Sequence, residues 1–62
     1  MKTLPEIREQ RLHAALALWA SDRGVSMASA GIRCGLSRHD VWNSRKTHPQ
    51  AFKTAKIQRA SL

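Results

Sequence analysis

Residues 30–46 read AGIRCGLSRHDVWNSRK, and this stretch contains the signals of two short helices joined by a tight turn. Gly35 permits the left-handed backbone that commonly ends a helix. Ser37 favours the start of the next helix, because its hydroxyl can accept a backbone N–H and Asp40, three residues later, can complete a capping box. Leu36 lies between these two signals and is expected to point inward and hold the turn.

The spacing of small and aliphatic residues in this stretch resembles the helix-turn-helix pattern. A small residue is followed four positions later by glycine, then by an aliphatic residue and a serine, and a buried aliphatic residue follows six positions after the glycine. Here these residues are Gly31, Gly35, Leu36, Ser37 and Val41. Glycine inside a helix costs about 1 kcal/mol relative to alanine. Gly31 is therefore expected to lie where two helices cross closely.

Residues 35–55 more specifically resemble the helix-turn-helix of phage small-terminase subunits and of transposase-like phage regulatory proteins. In those proteins a helix with the pattern G-aliphatic-S-x-x-T-V-aromatic-x-W-(R/K) is followed by D-P-x-F, which opens another helix. This chain has HPQAF at residues 48–52, and it departs from the pattern at Asp40, Ser44 and His48. The resemblance covers about a third of the chain. It implies a DNA-binding domain of phage or mobile-element type.

Apolar spacing and helix-boundary residues predict an all-α fold, a small bundle of about four helices that forms a single domain over residues 1–62. A chain of this length has room for one small domain. The first helix is expected at about 5–21, the second at about 27–34, the recognition helix at about 38–46 and the fourth at about 49–60.

Each predicted helix has apolar residues at helical spacing, and these define a candidate core. The inward residues are expected to be Leu12, Ala15, Leu16, Trp19, Met27, Ala30, Gly31, Cys34, Val41, Phe52 and Ala55, with Ala51 or Ile57 as further candidates. A second stripe of Ile7, Ala14 and Leu18 makes the first helix apolar around much of its circumference. This helix is either a central helix buried on both sides or the seam of a homodimer. The segment Asp22-Arg23-Gly24 is expected to end it, with Gly24 as the C′ residue.

The net charge of +7 is concentrated in the second half of the chain. Residues 25–62 carry seven Lys and Arg against Asp40 alone, whereas residues 1–24 carry four against three acidic residues. Because this charge coincides with the helix-turn-helix pattern, it predicts a polyanionic partner, double-stranded DNA. The alternative is that the charge serves solubility.

The recognition helix carries most of the predicted DNA contacts. At 100° per residue, Val41 faces inward together with Ser37 and Ser44, and the long polar side chains face outward. Arginine can bond to guanine and asparagine to adenine in the major groove. We expect base-edge contacts from Arg38, His39, Trp42 and Asn43, and phosphate contacts from Arg45 and Lys46.

The fourth helix has a candidate phosphate-binding ridge. Lys53, Lys56 and Arg59 are spaced at i, i+3 and i+6, with a solvated charged face as the alternative.

The position of Trp42 in the recognition helix is also open: it faces outward on a strict helical wheel, and a small rotation of the helix would bring it into the core. Since exposed tryptophan is uncommon and the core is short of bulk, a buried or half-buried position is favoured.

The residue inventory gives little support for catalysis, a metal or a cofactor. Cys34, His39 and His48 lack the paired spacing of a zinc site, and Cys34 is expected to be a small buried hydrophobe. No enzyme activity, cofactor or small-molecule substrate is predicted. The apolar run at residues 12–20 is too short to cross a bilayer. The single cysteine is compatible with a reducing cytoplasm, bacterial or phage-infected.

Two functions follow from these features. The first is a small sequence-specific DNA-binding protein, a phage or mobile-element regulator that docks its recognition helix in the major groove, with a homodimer or higher homo-oligomer formed through the first helix. The alternative is a protein-interaction module or inhibitor of a host protein, which would present either the apolar first helix, through Leu12, Leu16 and Trp19, or Trp42. Only the first predicts strongly salt-dependent binding.

Overall fold

Four α-helices make up the fold of residues 3–62, the part of the chain that the computed structural model describes, and no strand occurs among these residues. They are α1 (Leu4–Ser21), α2 (Met27–Arg33), α3 (Arg38–Thr47) and α4 (Pro49–Ala60). The predicted all-α fold of about four helices is confirmed, and each helix begins and ends within one residue of its predicted bounds. Residues 1 and 2 of the predicted 1–62 domain lie outside the described residues.

A capping box starts α1. The N–H of Glu6 donates to Thr3 Oγ1 and the N–H of Thr3 donates to Glu6 Oε2, both over 3.4 Å. The sequence prediction began this helix at Pro5 and missed the box, although threonine followed three residues later by glutamate is its usual signature. α2 is capped in a similar way, since Ser26 Oγ accepts from the N–H of Ser29 over 3.1 Å.

The turn between α2 and α3 has the predicted geometry. Gly35 has φ 90°, in the left-handed region. The N–H of Gly35 donates to the carbonyl of Ile32 over 3.1 Å and that of Leu36 to the carbonyl of Gly31 over 2.8 Å, which is the Schellman pattern of a helix end. The Leu36 side chain is buried, as expected. The helices cross closely here, because a Cβ at Gly31 would overlap Val41 Cγ2.

The core lies between α1 and the other three helices. α1 packs against α2 and α4, and α3 packs against the same two helices. The buried apolar residues are Leu12, Ala15, Leu16, Ala20, Val25, Met27, Ala30, Leu36, Val41 and Ala55, with Leu18, Trp19, Cys34, Ala51 and Phe52 partly buried against them. Most of the predicted inward residues therefore lie in this core, whereas Ile57 is exposed.

The apolar surface of α1 is used mainly inside the domain. Leu12 and Leu16 are only 2% and 6% exposed, so they are not available to a second chain. Of the second stripe, Ala14 is exposed and the others are half-buried. The helix ends at the predicted segment, but Gly24 is not its C′ residue: Asp22 is the C-cap with an extended backbone, so Arg23 comes next, and the Gly24 N–H donates to Asp22 Oδ1 over 2.8 Å.

Two arginines join separate parts of the chain by hydrogen bonds to backbone carbonyls. Arg11 Nη1 donates to the carbonyl of Gly35 over 3.3 Å, so α1 holds the α2–α3 turn. Arg59 donates to the carbonyls of Trp19, Asp22 and Arg23 over 2.6, 2.7 and 2.8 Å. Arg59 thereby joins the end of α4 to the end of α1 and to the loop that follows.

The junction between α3 and α4 is a single residue, His48, which is the C-cap of α3 and the N-cap of α4. Its N–H donates to the carbonyl of Ser44 over 2.8 Å, and its carbonyl accepts from the N–H of Phe52 over 3.3 Å. Pro49 follows at the first position of α4, where the missing N–H costs no helical hydrogen bond. None of the four described helices combines the length and apolar character needed to cross a bilayer.

Candidate nucleic-acid interface

The start of α3 is fixed by the predicted capping box. The N–H of Asp40 donates to Ser37 Oγ over 3.1 Å, and the N–H of Ser37 donates to Asp40 Oδ2 over 3.2 Å. Hydrogen bonds from the backbone and side chain of Ser37 hold the pKa of the Asp40 carboxyl below its usual range, with smaller contributions from the nearby Arg8 and His39. The only acidic residue of α3 is therefore engaged in holding the helix end.

The outward side of α3 carries all six side chains predicted to contact DNA on this helix. They are exposed, and they are Arg38, His39, Trp42, Asn43, Arg45 and Lys46. The inward side contributes the buried Val41 and the half-buried Ser44, whose hydroxyl donates back to the carbonyl of Asp40 over 2.6 Å. Because Ser44 satisfies its hydroxyl within the helix, it adds no polar group to the core in need of a partner.

Trp42 does not lie in the core, and the expectation of a buried or half-buried position is wrong. Its side chain is 54% exposed. Lys46 Nζ lies 3.9 Å from the centroid of its ring, and the His39 ring centroid lies 6.0 Å away. The core does not need the indole, because the partly buried Trp19 and Phe52 supply bulk. Trp42 is thus an apolar group in the middle of a cationic surface.

Arg45 connects this face of α3 to α4. Its guanidinium lies 5.8 Å from the centroid of the Phe52 ring, a cation–π distance. Arg45, Phe52, Lys53 and Lys56 also line a shared groove, together with Trp19. The two α4 lysines are exposed and adjoin α3 through this groove. Phe52 was predicted only as a core residue, and its role as a support for Arg45 has no signal in the local sequence.

The third residue of the predicted α4 ridge is placed differently. Arg59 is half-buried, and its guanidinium lies 5.3 Å from the Trp19 ring centroid while donating to the three carbonyls described above. Its donors are therefore used to stabilise the fold. Of the three residues of the ridge expected at Lys53, Lys56 and Arg59, only the two lysines are exposed.

Grooves lie on both flanks of α3. On one flank Arg38, Trp42 and Arg45 line a groove with Ala28 of α2. On the other flank Asn43 lines a groove with Arg8 and Glu9 of α1, together with Asp40. Arg8 was not predicted as a site residue, because nothing in the sequence places the start of α1 beside α3. The cationic side chains thus lie mainly on the flank that faces α2 and α4.

No acidic partner neutralises these cations within residues 3–62. The only ion pair in that part of the chain joins His13 and Glu9 of α1, with 3.9 Å between Nε2 and Oε1. Exposed lysines and arginines without a carboxylate partner leave their charges available to an anionic ligand. We define the α3–α4 surface as these exposed residues: Arg38, His39, Trp42, Asn43, Arg45, Lys46, Lys53 and Lys56.

The described residues hold no arrangement that suggests a metal centre: no three His, Cys, Asp or Glu side chains of residues 3–62 lie close enough to hold an ion together. Cys34 is a half-buried free thiol beside the core.

Comparisons of the chain with protein-family models, with curated proteins and with solved structures find no match. What the α3–α4 surface binds is therefore inferred from its own chemistry.

Proposed function

We propose that the protein binds double-stranded DNA in a sequence-specific manner, with α2, the following turn and α3 acting as a helix-turn-helix. The observation that carries this proposal is the α3–α4 surface, where five Lys and Arg side chains without acidic partners surround polar groups able to read bases. A helix of ten residues is about 15 Å long. The major groove of B-DNA, about 12 Å wide, accepts one α-helix.

The side chains of α3 have separate roles in this proposal. Arg38 suits bidentate bonding to guanine and Asn43 to adenine, while His39 and Trp42 lie between them on the exposed side. These four residues would contact base edges. Arg45 and Lys46 follow one turn later and would contact phosphates, which fix the position of the helix without reading sequence.

α4 extends the phosphate contacts. Lys53 and Lys56 share a groove with Arg45, so the backbone of DNA held against α3 would pass within reach of both lysines. This arrangement supports a role in non-specific affinity. It also gives a shared role to exposed cationic residues of the two successive helices α3 and α4.

The biological role that fits best is a phage or mobile-element regulator acting in the cytoplasm of a bacterium or of an infected host. One recognition helix rarely gives enough affinity for a specific site, so two half-sites and a homodimer are expected.

A dimer interface on α1 would have to use the exposed side of this helix, which includes Ala14 and Ala17. Sedimentation of wild type and Ala17→Glu tests it: a wild type that stays monomeric at high concentration excludes the seam.

Salt dependence is the experiment that tests the proposed function. If Arg45, Lys46, Lys53 and Lys56 replace counterions on the DNA phosphates, the logarithm of the association constant should fall with the logarithm of salt concentration at a slope of about −3 to −4. The measurement is fluorescence anisotropy with labelled duplexes between low and physiological salt. Affinity for duplex DNA that does not change with salt would reject the proposal.

The second candidate function is a protein-interaction module. Its favoured surface was the apolar side of α1, but Leu12 and Leu16 are buried within the domain. Two exposed apolar side chains support this candidate, since Ile32 and Trp42 are each 54% exposed. A protein partner held by such residues would bind almost independently of salt, so the same titration separates the two functions.

A further inference from the structure

The exposed indole of Trp42 is the feature of the α3–α4 surface that phosphate binding does not explain. More than half of this large apolar side chain, 54%, is in contact with solvent. It lines a groove between Arg38 and Arg45 of the same helix. An apolar group at this place contributes nothing to electrostatic attraction, and the core does not use it.

Neighbouring side chains of α3 contact the indole in the absence of any ligand. The ammonium of Lys46, one turn along α3, lies 3.9 Å from the ring centroid, a favourable cation–π distance. The His39 ring, three residues earlier, is tilted by 32° with its centroid 6.0 Å away. Because these neighbours are on the same helix, α3 itself favours this orientation of the indole. A preorganised group loses less entropy on binding.

The major groove offers such a group few partners. The base edges there present hydrogen-bond donors and acceptors, and the apolar group among them is the C5-methyl of thymine. We infer that Trp42 is a specificity-determining residue that contacts a thymine methyl, beside a guanine contacted by Arg38. This inference rests on the proposed function, because it requires α3 to lie in the major groove.

The test uses a single methyl group. Sites are first selected by wild-type protein from random-sequence duplex DNA, and each thymine of the preferred site is then replaced singly by deoxyuridine. Burying one methyl is worth a few-fold in affinity. At the contacted thymine, deoxyuridine should therefore weaken wild-type binding about three- to fivefold.

Two variants assign the methyl contact to a residue. Trp42→Ala should bind the thymine and the deoxyuridine duplexes equally. Ile32→Ala removes an apolar side chain of the same exposed fraction from α2, outside the α3–α4 surface, and should keep the wild-type ratio. Since Trp42 is exposed, Trp42→Ala should stay folded, as checked by circular dichroism. Should it unfold, Trp42→Phe replaces it, and a reduced thymine preference is then expected.

Four other outcomes of these binding measurements would overturn the inference. Equal wild-type affinity for every deoxyuridine duplex excludes a methyl contact while leaving DNA binding intact. An unchanged ratio in Trp42→Ala assigns the methyl to another residue. Tighter binding of the single strand than of the duplex indicates that the indole stacks on bases. If no duplex is bound, the proposed function fails, and the inference with it.

Discussion

The guanidinium of Arg59 donates to the backbone carbonyl of Trp19 over 2.6 Å, although 40 positions separate the two residues in the chain. α1 has no basic residue in its own last turn, so Arg59 brings from α4 the positive charge that favours the carboxyl end of a helix. Arg59 lies in the cationic second half of the sequence, yet its hydrogen bonds to carbonyls of α1 and the following loop give it a role in stabilising the fold. This distinction is open to measurement.

Arg59→Ala should lower the free energy of unfolding by about 1.5–3 kcal/mol, because charge-assisted hydrogen bonds to carbonyls of α1 and its loop are lost. Urea unfolding followed by circular dichroism measures the change. Lys56→Ala is the matched control: Lys56 is an exposed cation of the same helix, and its removal should change stability by about 0.5 kcal/mol or less. Equal stabilities of the two variants would contradict the assignment.

Gly31→Ala should destabilise the domain by about 1–3 kcal/mol, since its Cβ would overlap Val41 Cγ2 at the crossing of α2 and α3. Val41→Ala removes the obstructing methyl and is itself destabilising. The double variant should therefore be more stable than the sum of the two single effects predicts. Additive losses in thermal or urea unfolding would show that the two residues do not compete for the same space.

Base-reading and phosphate-binding residues should differ in their effect on specificity. Arg38→Ala and Asn43→Ala should each weaken binding to the selected site by about 1–3 kcal/mol and leave binding to random duplexes less affected. Lys56→Ala should weaken binding to both. Arg23→Ala in the α1–α2 loop removes the same charge outside the α3–α4 surface and serves as the control. Unchanged affinity in both Arg38→Ala and Asn43→Ala would reject this docking mode.

The capping box of α3 makes stability depend on pH. The pKa of Asp40 is lowered in the folded state by its hydrogen bonds with Ser37, so the ionised carboxylate stabilises the fold above the pKa it has in the unfolded chain, about 3.9. This contribution is lost as the pH falls through the lowered folded-state pKa. Asp40→Asn should be less stable than wild type near neutral pH, and the difference should shrink in acid. A difference that persists unchanged at pH 3 would exclude this role.

The helices could be predicted because their signals are local. Ser37 with Asp40, Gly35 and Pro49 act over a few residues, and the sequence displays each of them. The hydrogen bonds of two arginines to distant backbone carbonyls could not be predicted. Arg11 donates to Gly35 across 24 positions, and Arg59 donates to carbonyls 36 to 40 positions earlier. Such contacts depend on how the helices are arranged.

The candidate site shows the same division. Helical periodicity was enough to place Arg38, Asn43 and Lys46 on the exposed side of α3. The same periodicity left the position of Trp42 undecided, because a rotation of α3 by a fraction of a residue changes whether a side chain at its flank is covered. That rotation is set by the packing of Val41 on Gly31 and of Arg45 on Phe52, which are tertiary contacts.

The shared cap at His48 has a mechanical consequence. No flexible linker separates α3 from α4, because His48 caps both helices and its backbone hydrogen bonds join them. The spacing between Arg38 on α3 and Lys56 on α4 is therefore set by this junction. If the protein binds DNA as proposed, the distance between its base-contacting and phosphate-contacting side chains is set by this junction, and duplexes whose groove width matches that distance should bind best. Inserting one residue before Pro49 should change the orientation of α4 relative to α3 and move Lys53 and Lys56 away from Arg45.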